Sequence, residues 1–349
     1  MFYVTVYKLT VTYRCPIEVA MNKGKFYLKY ARSFLFRNKP VVCHFFATER
    51  CNLRCPYCTV FNNPRPEVDL ESTKKIIDRI AKLGIANFSI TGGEPLLRRE
   101  IYDIINYAAT KIPYVRITSN GLLPLEYYKK LLASRIDGFS ISVDSVESSE
   151  PLQDKQAVKS FEVIDYLFKN KGSRRMNIST SFHGTNGDEL KRLIDFCAKH
   201  WPGLSIFIQP IVVGKGNLRA EGDRIDPNSL FELSRAPNVA NTEFFNKICK
   251  DYYTNPNFVF KCMAGRLFLG VRPNGELWAC HDVPTPLNVL DEDFFAKYKA
   301  LDFAEIADPK KCGSCVYSCY INLQKGFESF SPALLLEHLK SFVSSFKRK

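Results

Sequence analysis

The sequence predicts an α/β protein with a parallel sheet, either closed into a barrel or left open, followed by a small cysteine-rich satellite. Three observations predict it. From residue 40 onward, short β-branched or aromatic runs alternate with longer stretches of helical period. The 349 residues suit one barrel of about 200 to 250 residues plus an appendix. After residue 258 the chain becomes richer in Gly, Pro and Cys.

The expected strands are residues 41–47, 88–91, 115–118, 139–143, 178–182 and 204–209. Helical windows fall between them at 71–83, 99–111, 125–134, 157–170 and 188–199. In the first window Ile76, Ile77, Ile80, Ala81 and Leu83 recur at helical spacing, while Lys74, Lys75, Asp78 and Lys82 take the other face. Residues 231–253 also read as helical and would complete a sixth unit. Beyond them a hairpin is expected, with strands at 267–271 and 277–279 around Pro273-Asn274-Gly275. The first 40 residues are aromatic and basic (Lys23, Lys25, Lys29, Arg32, Arg37, Lys39). Residues 332–349 read as an amphipathic helix carrying Leu335, Leu336, Leu339, Phe342, Val343 and Phe346 and ending in Lys347-Arg348-Lys349.

A hydrophobic content of 46% against 24% charged residues excludes wholesale disorder and collagen-like architecture. No apolar run approaches the roughly 18 to 20 residues of a membrane-spanning helix, and the N-terminus alternates as a strand does. A cytoplasmic, non-spanning protein is expected. Without a secretion signal, the twelve cysteines point to metal binding or catalysis rather than to disulfides. The net charge of +13 suits an acidic reductant, an anionic membrane surface or a nucleic acid. Its basic residues are spread without a dense run or an RNA-binding motif, which sets nucleic acid lowest.

Directly after the first strand comes Cys51-Asn52-Leu53-Arg54-Cys55-Pro56-Tyr57-Cys58. Three thiolates in one tight loop can hold three irons of a cubane, leaving the fourth open for chemistry. A structural zinc site that borrows a fourth ligand, such as Cys43 or His44, is the competing reading. The second strand ends in Thr91-Gly92-Gly93-Glu94-Pro95, where glycines admit close backbone approach and a carboxylate can pair with an ammonium group. Polar groups also end the third strand (Ser119, Asn120) and the fourth (Ser142, Asp144).

The cysteine loop, with Tyr57 at its aromatic position, resembles the CxxxCxΦC motif of the radical S-adenosylmethionine superfamily, and Gly92-Gly93-Glu94-Pro95 resembles that family's GGEP motif. The resemblance implies a partial (β/α)6 TIM-like barrel. It implies a 4Fe-4S cluster on Cys51, Cys55 and Cys58, whose open iron takes S-adenosylmethionine. The cofactor is then cleaved to a 5′-deoxyadenosyl radical that abstracts hydrogen from a substrate carbon. Tyr57, Gly92, Gly93, Glu94, Ser119, Asn120, Ser142 and Asp144 would surround that cofactor, with Glu94 receiving its ammonium. Gln209 and the stretch from Gly214 to Asn217 would help to form the adenine pocket. A ferredoxin or flavodoxin would be the reductant.

Cys262, Cys280, Cys312, Cys315 and Cys319 lie in the satellite, where paired thiolates from separate loops can close a zinc site or a second cubane. Here the chain resembles the SPASM extension or its shorter twitch form. Two auxiliary clusters need about eight ligands, and five cysteines follow residue 250. One auxiliary 4Fe-4S cluster is therefore expected, on Cys262, Cys280, Cys312 and Cys315 with Cys319 as a spare, accepting an electron from a substrate radical. His183, His281 and Asp282 are candidate acid–base groups, set against plain structural roles. The expected organisation is a basic extension (1–40), a barrel (41–255), an auxiliary-cluster module (256–325) and a terminal amphipathic helix (326–349). A peptide or small molecule is the expected substrate. The two terminal segments raise peripheral membrane contact and a lipid substrate as alternatives, and an RNA-modifying role ranks below them.

Overall fold

The structure is a computed structural model that describes residues 39–62, 64–146, 157–184, 186–211, 225–312 and 315–328. The basic N-terminal extension up to residue 38, Cys15, the stretch from Gly214 to Asn217 and the amphipathic segment beyond residue 328 lie outside them, and with them the motive for membrane contact. Among the described residues no helix is long and apolar enough to cross a membrane.

Six strands run parallel in sequence order: β1 (Val42–Thr48), β2 (Asn87–Gly92), β3 (Tyr114–Ser119), β4 (Gly138–Ser142), β5 (Arg175–Phe182) and β6 (Ser205–Pro210). The helices that return the chain between them are α1 (Leu70–Leu83), α2 (Ile101–Lys111), α3 (Leu125–Ala133), α4 (Ala157–Asn170) and α5 (Gly187–His200). Each strand is thus laid beside its predecessor by a helical crossover, as parallel pairing requires. The ends of α1 show why the boundaries are sharp. Asp69 accepts from Ser72 N at 2.7 Å as N-cap, and Gly84 closes the helix in the left-handed region at φ 109°.

Alternation along the strands separates two faces. Phe45, Phe88, Ile90, Val115, Ile117, Phe139 and Ile141 are buried beneath the helices, against Ile76, Ile77 and Ile80 of α1 and Ile104 and Ile105 of α2. Cys43, Cys197 and Cys249 are buried in this core, and burial pushes their thiol pKa values up. The opposite, inner face is polar. His44, Ser89 and Arg116 stand in register across β1, β2 and β3, with Gly138 beside Arg116 on β4.

The segment at 231–253 is not one helix. It forms α6 (Pro227–Leu233) and α7 (Glu243–Thr254), broken around Pro237, which has no N–H to offer a helix. Asp226 caps the first helix and Thr242 the second. The break does work: Ile206 N donates to Asn238 O and Ala240 N to Ile206 O, both at 2.8 Å, so residues 238–240 cover the outer edge of β6. Asn241 then clamps Ile208, accepting from its N–H and donating to its carbonyl, both at 2.8 Å. Asn241→Ala removes both bonds and should cost about 1 to 3 kcal/mol in urea unfolding. Unchanged stability would mean that water replaces the clamp.

The predicted hairpin is present as β7 (Phe268–Val271) and β8 (Glu276–Trp278), turning through Gly275 at φ 86°. Its placement was not legible. β7 pairs parallel to β1, Val42 opposite Phe268, so the satellite's strands extend the barrel sheet instead of forming one of their own. A further edge strand, β9 (Pro284–Asn288), pairs antiparallel to β8 and carries the two prolines that an outermost strand tolerates. Four helices follow: α8 (Phe294–Ala300), α9 (Phe303–Ile306), α10 (Pro309–Cys312) and α11 (Ser318–Glu328). The segment leading into α11 spans the open seam of the sheet. Gln209 on β6 donates to Val316 O at 3.0 Å and accepts from Ser318 N at 2.8 Å, while Tyr320 stacks on Phe268 of β7 at 3.8 Å between ring centroids.

Candidate functional site

The cysteine loop leaves the carboxyl end of β1, where open parallel sheets gather their chemistry. Its base is tied down by ions. The buried guanidinium of Arg98 donates to Ala47 O at 3.1 Å and to Val68 O, bridging the strand end to the far end of the loop. Arg50 Nε donates to Glu67 at 2.9 Å, and Thr48 Oγ1 donates to the same carboxylate. Buried Glu49 receives Arg65 and Arg272, each at 3.1 Å. Within the loop, Leu53 N–H points at Cys51 Sγ at 3.4 Å, Cys58 N donates to Cys55 O at 3.0 Å, and Arg54 donates to the carbonyls of Cys51 and Leu53. Burial raises the Cys51 pKa; the Glu94 carboxyl and the Cys58 thiol nearby raise it further.

The two glycines after β2 serve this loop. Gly93 N donates to Thr48 O and Glu94 N to Arg50 O, both at 2.9 Å. A Cβ on Gly92, which sits at φ 141°, would overlap the Thr48 carbonyl oxygen, and one on Gly93 would overlap that of Arg50. The close approach expected for a ligand is therefore made to the chain's own cysteine-loop backbone. Gly93→Ala should push residues 48–50 away, cost about 2 kcal/mol or more in thermal unfolding and lower the iron bound by the loop. Unchanged iron content would mean that this backbone contact does not position the cysteines.

Glu94 is fully buried. Its carboxylate accepts from Leu96 N at 3.1 Å and Asn120 N at 2.8 Å, and burial outweighs these bonds, raising its pKa to about 7. Among the described residues no Lys, Arg or His forms an ion pair with it. Asn120 spends its amide on Asn52 Oδ1 at 2.8 Å, within 4.0 Å of Cys51 Sγ, and on Leu122 N. Ser119 meets Tyr128 at 3.1 Å. Asp144 accepts from Tyr57 OH and from Ser181 N at 2.8 Å, binding the loop to the ends of β4 and β5; the His183 ring lies 6.2 Å from that of Tyr57. Tyr57, Glu94, Ser119, Asn120 and Asp144 thus form one connected group around the loop. Ser142 bonds Ser179 at 3.0 Å along the inner face. Gln209, read from sequence as an adenine contact, commits its amide to the segment before α11.

A second set of thiols lies around the β7–β8 hairpin. Burial raises the pKa of Cys262 to about 11 with help from Cys312, Cys280 feels Cys262, and Cys315 feels both Cys262 and Cys280. Cys319 stands apart from these four. It is exposed, and its charged neighbour is Arg116. Tyr317 OH reaches Asp282 at 3.5 Å. His281, whose ring is 4.7 Å from that of His44, turns to the inner face. The sequence reading missed the part that joins the two thiol groups: Arg272, stacked at 4.0 Å on both Phe46 and Trp278, donates to Glu49 at 3.1 Å and to His281 O at 2.6 Å. No local pattern signals a pairing across 223 residues.

Among the described residues no three His, Cys, Asp or Glu side chains converge as a single metal ion requires. Three thiols spread round a loop suit a larger, polynuclear body. The buried carboxylate beside them, lacking a cation, suits an ammonium group. Fold and site together define a parallel α/β partial barrel with a three-cysteine loop and a buried carboxylate at its strand ends. Residues 46–197 match the profile described as the Radical SAM superfamily, so the chain is an enzyme that carries a radical SAM domain, a domain whose family works with a 4Fe-4S cluster and S-adenosylmethionine. It is 23% identical to the PqqA peptide cyclase of Granulibacter bethesdensis over 77% of each chain. It is 26% identical to the mycofactocin maturase MftC of Mycolicibacterium smegmatis, over 80% of this chain and 75% of that one. The crystal structure of Streptococcus suis SuiB bound to S-adenosylmethionine superposes with a TM-score of 0.64 at 17% identity, covering 89% of this chain and 82% of that one. That likeness shows the TIM-like partial-barrel fold.

Proposed function

We propose that the enzyme oxidatively modifies a peptide, using one 4Fe-4S cluster on Cys51, Cys55 and Cys58 and one auxiliary 4Fe-4S cluster on Cys262, Cys280, Cys312 and Cys315. The observation that carries this reading is the second thiol group, tied to the base of the first loop by the buried Glu49–Arg272–His281 chain. When bound, the loop cluster and S-adenosylmethionine supply one-electron cleavage of the sulfonium and hydrogen abstraction from a substrate carbon. The chain's own part is to bind and orient. Glu94 offers its buried carboxylate to the cofactor's ammonium, Asn120 fixes Asn52 and the Cys51 turn, and Asp144 fixes Tyr57. Four cysteine ligands would leave an auxiliary cluster no open iron, so what Cys262, Cys280, Cys312 and Cys315 would hold is an electron acceptor rather than a substrate site. Residues 41–255 would be the barrel and 256–325 the auxiliary module, which shares the barrel's sheet through β7. A ferredoxin- or flavodoxin-type protein would reduce the loop cluster.

Support for a peptide comes from the relatives. The two that match over three quarters or more of this chain carry the names of a peptide cyclase and a maturase. SuiB has also been crystallised with its precursor peptide SuiA. The test is to incubate the loaded, reduced enzyme with peptide and small-metabolite fractions of its own cells. A peptide whose mass falls by one hydrogen pair, with deoxyadenosine released alongside it, is expected. Modification confined to the metabolite fraction would overturn the peptide reading.

A further inference from the structure

Among the described residues, the inner face of the sheet holds a cation without an ion-pair partner. Arg116 points there from the middle of β3, flanked in register by Ser89 on β2 and by Gly138 on β4. Its Nη2 donates to Asn177 Oδ1 at 3.3 Å, while its Nε is buried and bonds nothing. Among the described residues no carboxylate forms an ion pair with it. Arg116 is half-buried, so part of its guanidinium stays accessible to an anion that enters the inner face.

Two further buried polar atoms lack partners in the same region, Tyr320 OH and His281 Nε2. Their rings pack with that of His44, at 5.4 Å and 4.7 Å, and the Tyr320 and His281 rings lie 5.2 Å apart. Burial and the nearby Arg116 charge lower the His44 pKa to about 3, so this imidazole is neutral and adds no second cation. One positive charge with neutral polar groups beside it matches a singly charged anion better than a phosphate.

We propose that Arg116 binds a carboxylate of the substrate inside the barrel. This rests on the peptide reading above and narrows it: the segment entering the barrel carries an acidic side chain or ends in a free α-carboxylate. The guanidinium edge takes the carboxylate. Arg116 is a binding residue in this account, and no proton transfer is asked of it.

The test uses the full, cluster-loaded chain and three small probes in saturation-transfer NMR. N-acetylglutamate α-amide carries only the side-chain carboxylate, N-acetylglutamine only the α-carboxylate, and N-acetylglutamine α-amide neither. At least one acidic probe should bind about tenfold or more tightly than the neutral one, and which of them does so identifies the source of the carboxylate. Arg116→Gln should abolish that preference and Arg116→Lys should keep part of it, with iron content and melting temperature reported for each. Equal binding of all three probes to the native chain, or an unchanged preference in Arg116→Gln, would overturn the proposal. Should the Gln variant not fold, the probe ratios of the native and Lys proteins decide. An unselective native protein that still modifies a peptide sinks this inference alone; selective binding without any peptide modified sinks the peptide reading alone.

Discussion

Cys55→Ala should leave a protein that binds half the iron of the native chain and cleaves no S-adenosylmethionine. Two four-iron clusters give about eight irons per chain after anaerobic reconstitution, and losing one buried loop ligand should remove about four of them. The second group, Cys262, Cys280, Cys312 and Cys315, keeps its own ligands in that variant. Cys280→Ala should do the reverse, losing a similar share of iron while retaining reductive cleavage of S-adenosylmethionine in the absence of substrate. Iron and sulfide analysis with deoxyadenosine release checks both. A native chain with about four irons, all lost in Cys55→Ala, would contradict the two-cluster reading.

Glu49→Gln is expected to be among the most destabilising single substitutions outside the apolar core. Glu49 is buried between Arg65 and Arg272, and Arg272 is itself held between the Phe46 and Trp278 rings. Burial alone lowers the Arg272 pKa, and the Glu49 charge opposes that shift. Removing the carboxylate leaves a buried cation unpaired, which typically costs about 3 to 5 kcal/mol. Arg272→Met should cost less, because Arg65 still serves Glu49. The double variant should fall short of the sum of the two, the mark of a direct interaction. Thermal melts of the four proteins provide the cycle; strict additivity would show that the pair contributes nothing of its own. Since Arg272 also holds the His281 carbonyl next to Cys280, the iron lost in Glu49→Gln should come mainly from the second group.

What could be read from the sequence was whatever local periodicity and short spacing encode. Six parallel strands and five helices emerged within a few residues of their observed ends, because alternation and helical period are properties of neighbours. The split of 231–253 was visible in principle, since Pro237, Asp226 and Thr242 are ordinary stop and cap signals, but an amphipathic pattern on both sides concealed it. The docking of β7 against β1 had no local signal at all. The same division holds at the site. Cys51, Cys55, Cys58 and Glu94 announced themselves by spacing, whereas Arg98, Glu49, Arg272 and Arg116 matter through partners elsewhere in the chain. The glycines have a second reason that the sequence did not show: their missing side chains make room for the protein's own backbone.

The Gln209 and Tyr320 contacts join β6 to β7 through a segment that follows all nine strands in the chain. That segment is a keystone: strands that share no hydrogen bond with each other are held in place by a piece of chain belonging to neither.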